Sequence, residues 1–410
     1  MQRRVLLASA SLAGVAAFRG CSSSTAPSAP ASFVPGDWAS VRQQFALDPS
    51  VAHLAAFVFA THPASVRAAV DTHRAGLDRD PIGYVHANQE RLEAAAASAA
   101  ASYLGVAPAQ IAFTDSTTMG LGLLYGGLRL ASGDEVLTTE HDFYSTHEAL
   151  RLRSVRSGVR VRRVRLYDDP SAARSESIVD ALVAAVSPRT KAIAVTWVHS
   201  STGVRLPVAE IAAALRAKRP DVLLCVDGVH GFAAVDATPG QLGCDFLVTG
   251  THKWLHGPRG TGLIFGTPRG WAACDPVIPT FDAQPFSPGG YHSFENRWAL
   301  AEAFALHQAV GRDRVAARIT ELATALKEGI AGISGVRLVT PRDPALSAGI
   351  VCCDVTGKHP GAVVSLLSAQ KVVASVTPYD PPYLRFGPTI LNTPADVDAT
   401  LKALRTVAGS

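Results

Sequence analysis

The chain has 410 residues, of which 48% are hydrophobic and 18% charged, which is an ordinary globular composition for one large domain or several smaller ones. Its net charge of +4 is too small to indicate nucleic-acid binding. The six cysteines show no CxxC or Cys/His spacing, so we expect neither a metal site nor a disulfide framework.

Residues 1–21 are predicted to be a signal segment. Arg3 and Arg4 precede an uncharged apolar run, Val5 to Phe18, which is short for a membrane span. The paired arginines indicate the twin-arginine route, which exports folded proteins. We therefore expect a periplasmic or extracellular protein whose mature chain has no integral membrane span.

Two alternatives remain for this N-terminus. Cys21 is a candidate for lipid anchoring after cleavage, although Arg19 makes "FRGC" a poor match to the usual lipoprotein box. The apolar segment is otherwise the N-terminus of a cytoplasmic protein. Residues 22–40 are rich in Ser, Ala and Pro and are predicted to be a linker.

From about Ala64 onward, predicted helices and strands alternate. Such alternation is typical of a mostly parallel sheet with helices on both faces, and we assign it to a large domain over residues 41–280. The predicted helices are 64–77, 88–106, 117–130, 144–158, 177–188 and 208–220, and the predicted strands are 111–113, 134–140, 159–166, 190–198, 221–227, 245–249 and 261–266.

The pattern changes past about Pro276. A long helical stretch, 295–333, is followed by short predicted strands with helices between and after them. We therefore predict a smaller C-terminal α+β domain over residues 281–410. Its strands are expected at 336–339, 348–355, 371–376 and 383–387.

Several polar residues follow predicted strands of the large domain. Because ligands of open α/β sheets bind beyond the carboxyl ends of the strands, we expect these residues to converge on one rim. They are Thr117, Thr118, His141, Ser200, Asp227 and Lys253.

Asp227 and Lys253 together indicate a specific chemistry. A lysine amine forms an imine with an aldehyde cofactor, and a carboxylate beneath a pyridine nitrogen keeps that nitrogen protonated. The ring is then an electron sink, as in pyridoxal phosphate enzymes. The helix that starts near Thr117 offers free N–H groups and hydroxyls that suit a phosphate.

The segments "CVDGVHGFAAVD" and "FLVTGTHKWLHGPRGTGLIFG" carry a family resemblance. Together they resemble the class V aminotransferase family of fold-type I pyridoxal phosphate enzymes. "GTHKWLHGP" and "SPGGYHSFENRWAL" look closest to its isopenicillin N epimerase-like branch. The resemblance implies a homodimer in which the second of these segments, with Tyr291 and His292, reaches the neighbouring subunit; an ordinary interdomain loop is the alternative.

The resemblance also implies roles for individual residues around the cofactor ring. Lys253 would form the internal aldimine, and Asp227 would pair with the pyridine nitrogen. His230 would lie near the 3-oxygen of the cofactor. His141 would stack on the ring and take part in catalysis, with Phe143 or Tyr144 as the alternative stacking residue.

Other residues would bind the phosphate and the substrate. By the same resemblance, Thr117, Thr118, Thr251 and His252 form the phosphate cup. Ser200 lies where many relatives have asparagine, which puts its contact to the cofactor in doubt. Arg385 falls where the family keeps an arginine for the substrate's α-carboxylate.

The predicted function is that of a pyridoxal phosphate-dependent enzyme acting on an amino acid or related amine. Aminotransferase, epimerase and C–S lyase reactions remain open, because they share the first step. Cysteine desulfurase activity is disfavoured because the loop "SVTPYDPPYL" before Arg385 contains no cysteine. The alternative is a non-catalytic exported binding protein that retains the fold.

Overall fold

A computed structural model of the protein describes residues 33–280 and 284–409. The predicted signal segment, Cys21 and most of the predicted linker lie outside these residues. The helices are α1 (Trp38–Gln43), α2 (Ala64–Arg79), α3 (Pro81–Leu104), α4 (Thr117–Gly127), α5 (Tyr144–Ser157), α6 (Ser175–Ala184), α7 (Val208–Lys218), α8 (Pro239–Leu242), α9 (Pro268–Ala272), α10 (Phe294–Trp298), α11 (Leu300–Val310), α12 (Arg312–Ala331), α13 (Pro360–Ala369) and α14 (Pro394–Gly409). The strands are β1 (Ala52–His53), β2 (Ile111–Thr114), β3 (Glu135–Thr139), β4 (Arg160–Val164), β5 (Thr190–Thr196), β6 (Leu223–Asp227), β7 (Phe246–Gly250), β8 (Gly262–Gly266), β9 (Val336–Leu338), β10 (Val351–Val355), β11 (Val372–Val373), β12 (Ser375–Val376) and β13 (Leu384–Phe386).

A seven-stranded sheet forms the centre of the molecule, in the order β2-β8-β7-β6-β5-β3-β4. Strand β8 is antiparallel to both of its neighbours, and the remaining pairs are parallel. Consecutive residues of a strand point to opposite faces. In β6, Leu224 and Val226 accordingly pack in one hydrophobic cluster and Cys225 in another. Both faces are covered, which confirms the predicted mostly parallel sheet with helices on both sides.

A smaller antiparallel sheet, in the order β12-β13-β10-β9, forms the C-terminal part of the chain. Helices α12, α13 and α14 contribute to one hydrophobic cluster with it. The predicted small α+β unit is therefore present. The long predicted helical stretch is divided into α10, α11 and α12, because the chain turns at Ala299 and at Gly311, whose φ of 96° favours glycine.

The N-terminal part of the described chain differs from its predicted assignment. The last residues of the predicted linker begin helix α1, which Asp37 caps by accepting from the Ala39 and Ser40 amides. Strand β1 pairs in parallel with β11, and Leu54 is buried in the C-terminal hydrophobic cluster. Residues 52–54 thus pack with the smaller unit, although they precede the large sheet in the chain.

None of the described helices is long and apolar enough to cross a membrane.

Candidate active site

Strands β5, β6 and β7 deliver polar residues to one cavity at their carboxyl ends. Asp227 is the last residue of β6, and Lys253 lies three residues beyond β7. The smaller unit and the N-terminal segment close the other side. The lining residues are Val58, Phe143, Thr196, Ser200, Val229, His230, Lys253, Pro378 and Arg385.

Asp227 is buried and only half satisfied. Its Oδ1 accepts from the Val229 amide at 3.1 Å, while its buried Oδ2 has no hydrogen-bond partner among the described residues. Burial raises the pKa of this carboxyl, and the nearby Lys253 opposes that rise. An unpaired carboxylate oxygen of this kind is costly unless a cationic donor fills the gap. A protonated pyridine nitrogen is such a donor.

His230 fixes the state of the Lys253 amine. The Trp254 indole N–H donates to His230 Nδ1 at 3.3 Å, and His230 Nε2 lies 3.1 Å from Lys253 Nζ. Burial drives the pKa of His230 well below its usual value. With Nδ1 accepting from Trp254, the neutral ring would carry its hydrogen on Nε2. That N–H can bond Lys253 only if the amine presents its lone pair.

Burial also lowers the pKa of Lys253, to about 8, so that a larger share of the amine is neutral near pH 7 than for an ordinary lysine. Asp227 acts against the shift and Arg385 in favour of it. The side chain is therefore suited to act as a nucleophile and as a base.

A small polar cradle lies where α4 begins. Thr117 Oγ1 and His252 Nδ1 are both buried without a hydrogen-bond partner in the described chain. A Cβ built on Gly250 would lie 3.2 Å from the Thr117 hydroxyl and 3.3 Å from His252 Nδ1, so only glycine leaves this space open. Two orphaned polar atoms beside a helix N-terminus fit a phosphate group.

Two of the predicted phosphate residues have other partners. The Thr251 hydroxyl is bonded to the Thr261 hydroxyl and lies 3.2 Å from the Thr261 carbonyl, within the loop between β7 and β8. Thr118 Oγ1 lies 2.9 Å from Ser145 Oγ on helix α5. The structure therefore gives Thr251 a role in holding the loop, in place of the predicted phosphate contact.

Arg385 is a buried cation at the cavity wall. Its Nε donates to Ser375 Oγ and its Nη1 to the Ser200 carbonyl, each at 3.1 Å. The guanidinium lies over the ring of Phe57, 5.2 Å from its centroid. It has no carboxylate partner among the described residues, so its charge is available to an anionic ligand that enters the cavity.

His141 does not line the cavity. Its ring stacks on Tyr167 with centroids 3.9 Å apart, and its Nε2 accepts from the Leu166 amide at 3.2 Å. Tyr144, one alternative stacking residue, is 68% exposed. Phe143, the other alternative, does line the cavity. Of the three predicted stacking residues, Phe143 is therefore the one that lines the cavity.

Sequence reasoning also missed Tyr379. Its phenol lies 2.7 Å from Ser200 Oγ, and its ring is edge-on to Phe143 with centroids 6.1 Å apart. It belongs to the loop before β13, which the sequence singled out only for lacking a cysteine. The five cysteines of the described chain are all buried, Cys352 and Cys353 in strand β10.

A sequence model of the aminotransferase class-V family matches residues 82–376. The chain belongs to this family. It is 28% identical over 401 residues to isopenicillin N epimerase of Amycolatopsis lactamdurans, covering 90% of this chain and 98% of that protein. The corresponding enzyme of Streptomyces clavuligerus is 26% identical, with coverage of 91% and 99%.

A solved structure shares the fold. A C-DES mutant with glycine covalently linked to its PLP cofactor is 21% identical, covers 89% of this chain and 98% of its own, and superposes with a TM-score of 0.82. The family and these relatives confirm the predicted class V assignment, its epimerase-like branch and pyridoxal phosphate as the cofactor. The type of reaction is not resolved by them.

Proposed function

We propose that the protein is a pyridoxal phosphate-dependent enzyme that acts on an amino acid or a related amine, with Lys253 as the residue that binds the cofactor covalently. One observation carries the proposal. Asp227 Oδ2 is buried without a hydrogen-bond partner among the described residues, and Lys253, whose Nζ lies 3.1 Å from His230 Nε2, lines the same cavity as Arg385.

The residues present fit the cofactor. Bound pyridoxal phosphate supplies an aldehyde that condenses with amines and a ring that withdraws electrons from the substrate's α-carbon. Asp227 would accept the N–H of the pyridine ring through Oδ2. Thr117 and His252 would hold the phosphate beside the N-terminus of α4, and Phe143 would cover a face of the ring.

Lys253 has two tasks in this proposal. Its amine, with a pKa lowered by burial, is a nucleophile near neutral pH. The same Nζ would be the group that accepts the proton from the α-carbon of a bound amino acid. His230 keeps Nζ oriented during both tasks. Transamination, epimerisation and C–S bond cleavage all begin with this proton transfer.

Arg385 supports an α-amino acid as the substrate. Its guanidinium is buried and is held from two sides by protein oxygens, so a carboxylate that enters meets a fixed cation. A non-catalytic binding protein is not favoured as the alternative. Such a protein has no need for a buried lysine whose pKa burial lowers towards the physiological range beside a buried carboxylate and a buried arginine.

We extend the proposal to the assembly and location of the protein. A homodimer is proposed from the family resemblance of the segment that contains Tyr291, whose side chain is 90% exposed. Export is proposed from Arg3 and Arg4 and the apolar run after them. Cytoplasmic location remains the alternative if this segment is not a signal, and size-exclusion and cell-fractionation measurements test the two points.

A spectral screen tests the proposed function. The purified protein is loaded with pyridoxal phosphate and mixed with a panel of amino acids, while keto-acid release, sulfide release and exchange of the α-proton with solvent deuterium are measured together. At least one amino acid is expected to change the visible band and to exchange its α-proton. A protein that forms no visible band with the cofactor would contradict the proposal.

A further inference from the structure

Ser200 has a hydrogen bond to Arg385 and another to Tyr379, two residues that the sequence analysis did not link. Its carbonyl accepts from Arg385 Nη1 at 3.1 Å, and its hydroxyl lies 2.7 Å from the phenol of Tyr379. Arg385 and Ser200 line the cavity, together with Pro378 next to Tyr379. The Ser200 hydroxyl thus lies between the cation and the phenol at one wall of the site.

Two hydroxyls that share one hydrogen bond have one further hydrogen to donate. The phenol is the better donor of the two, because it is far more acidic than an aliphatic hydroxyl. Tyr379 keeps its proton near neutral pH, since burial raises its pKa further. When Tyr379 donates to Ser200 Oγ, the hydrogen of Ser200 is left to point elsewhere, and Ser200 faces the cavity.

A carboxylate in this cavity needs more donors than Arg385 has free. A carboxylate has about four lone-pair sites, and a buried site that leaves them unsatisfied loses binding free energy. Arg385 already donates from Nε to Ser375 and from Nη1 to Ser200. Of the other polar side chains at the wall, Lys253 and His230 are bonded to each other, and the Thr196 hydroxyl, which has no partner among the described residues, is a further donor beside that of Ser200.

We propose that Tyr379 is a positioning residue for carboxylate recognition: its phenol donates to Ser200 Oγ and so turns the Ser200 hydroxyl hydrogen towards the carboxylate held by Arg385. This inference rests on the proposed function. In this proposal Ser200 binds the substrate, where the sequence predicted a cofactor contact. The loop between β12 and β13, which contains Tyr379, then contributes to selecting α-amino acids over simple amines.

A pair of small reagents tests the proposal without knowledge of the natural substrate. Aminooxyacetate and O-methylhydroxylamine both condense with the cofactor aldehyde and bleach its visible band, but only aminooxyacetate has a carboxylate. The ratio of their rate constants on the loaded protein measures carboxylate recognition. The affinity for pyridoxal phosphate, measured by titration of each unloaded variant, provides a readout that is independent of this reaction.

Two single variants, their double variant and one control are compared. Ser200→Ala and Tyr379→Phe are each expected to lower the ratio, by about tenfold for Ser200→Ala, because a hydrogen bond to a charged group is lost. The double variant is expected to lose no more than Ser200→Ala alone, since Tyr379 acts through Ser200. Cofactor affinity stays unchanged. Tyr383→Phe is the control: this phenol belongs to the same loop but its ring packs against Arg337, 5.8 Å from the guanidinium.

The outcomes separate the two proposals. A lower ratio in Tyr379→Phe that is absent in Tyr383→Phe and not additive with Ser200→Ala supports the positioning role. Equal slowing of both reagents, weaker cofactor binding, additive losses or no change overturns that role and leaves the proposed function intact. A wild-type protein without a cofactor band overturns the proposed function and this inference with it.

Discussion

Two buried lysines in different parts of the chain share one electrostatic property. Burial lowers the pKa of Lys253, beyond β7, and of Lys327, in helix α12, to about 8 in each case. Lys327 Nζ donates to the carbonyls of Pro341 and Arg342 and to Ser347 Oγ, at 3.2, 2.9 and 2.6 Å. All three of its N–H donors are therefore used by the protein.

Lys253 has the opposite kind of partner. Its Nζ lies 3.1 Å from His230 Nε2, which would carry a hydrogen while Nδ1 accepts from Trp254, and the nearby Asp227 Oδ2 has no partner among the described residues. A lowered pKa therefore does not identify a reactive lysine. A reactive lysine is recognised by nearby buried polar atoms that have no hydrogen-bond partner in the protein and that a bound cofactor would pair. Substitutions at the two lysines and at Asp227 test this difference.

Replacing Lys253 has the largest expected effect. Lys253→Ala removes both the nucleophile and the α-proton acceptor, so turnover of any amino acid found in the screen falls by at least about 10³-fold. The visible band that a lysine gives with the cofactor is also lost. Absorbance spectra and initial rates measure the two effects. An unchanged rate in this variant would place the chemistry at another residue.

Asp227→Asn tests the unpaired carboxylate. An amide cannot keep the pyridine nitrogen protonated, so turnover should fall by about 10²-fold, the scale found for a lost electrostatic contact in an active site. The cofactor-free protein should be at least as stable as the wild type, because a buried unpaired carboxylate is replaced by a neutral group. Rates and thermal melts of the unloaded variant check both. A variant with full activity would contradict the role of Asp227.

Lys327→Met tests the satisfied lysine. The substitution leaves two buried carbonyls without a donor, so the free energy of unfolding should fall by about 2 kcal/mol. Urea unfolding measures this change. The visible band and the cofactor affinity should stay as in the wild type. Loss of the band in this variant, with the protein still folded, would remove the distinction between the two lysines.

Buried histidines and the buried Lys327 are expected to change the free energy of unfolding over different pH ranges. Burial lowers the pKa of His256 to about 4 and of His307 to about 3, from 6.5. The folded protein favours their neutral forms, so their contribution to stability is complete above pH 6.5. It falls as the pH drops towards 4, by up to about 1.4 kcal/mol per pH unit for each histidine.

The contribution of Lys327 to stability changes over a different pH range. Its pKa is about 8 in the folded chain and 10.5 without burial, so its contribution changes only between these values, where stability rises with pH. Urea unfolding between pH 7 and 5 should show the histidine slope, and His256→Gln should reduce it, with the rest due to His307 and the other buried histidines. A slope between pH 7 and 5 that disappears in Lys327→Met, and is undiminished in His256→Gln, would show that the pH ranges are wrongly assigned.

The sequence was sufficient for the sheet and for the residues that end its strands. Local periodicity predicts strands, and the parallel arrangement brings their carboxyl ends together, so Asp227 and Lys253 were found. The pairing of β1 with β11 was not predicted, because two two-residue strands about 320 positions apart carry no local signal. That pairing matters for the site, since the same N-terminal segment supplies Phe57 and Val58 to it.

Side-chain partners were the least predictable feature. Thr251 and Thr117 both follow predicted strands and were both predicted to bind phosphate. The Thr251 hydroxyl is bonded to Thr261, whereas the Thr117 hydroxyl has no partner among the described residues. Tyr379 had no signal except its place in a proline-rich loop. Hydroxyl partners depend on side-chain geometry that depends on the whole fold, and residue spacing does not encode it.

Borohydride reduction followed by peptide mapping identifies the lysine that binds the cofactor. The loaded protein is reduced, digested, and the lysine that carries the pyridoxyl group is identified by mass spectrometry. The account predicts one modified peptide, which contains Lys253, and an unmodified peptide containing Lys327. A pyridoxyl group on Lys327 or on any lysine other than Lys253 would contradict it.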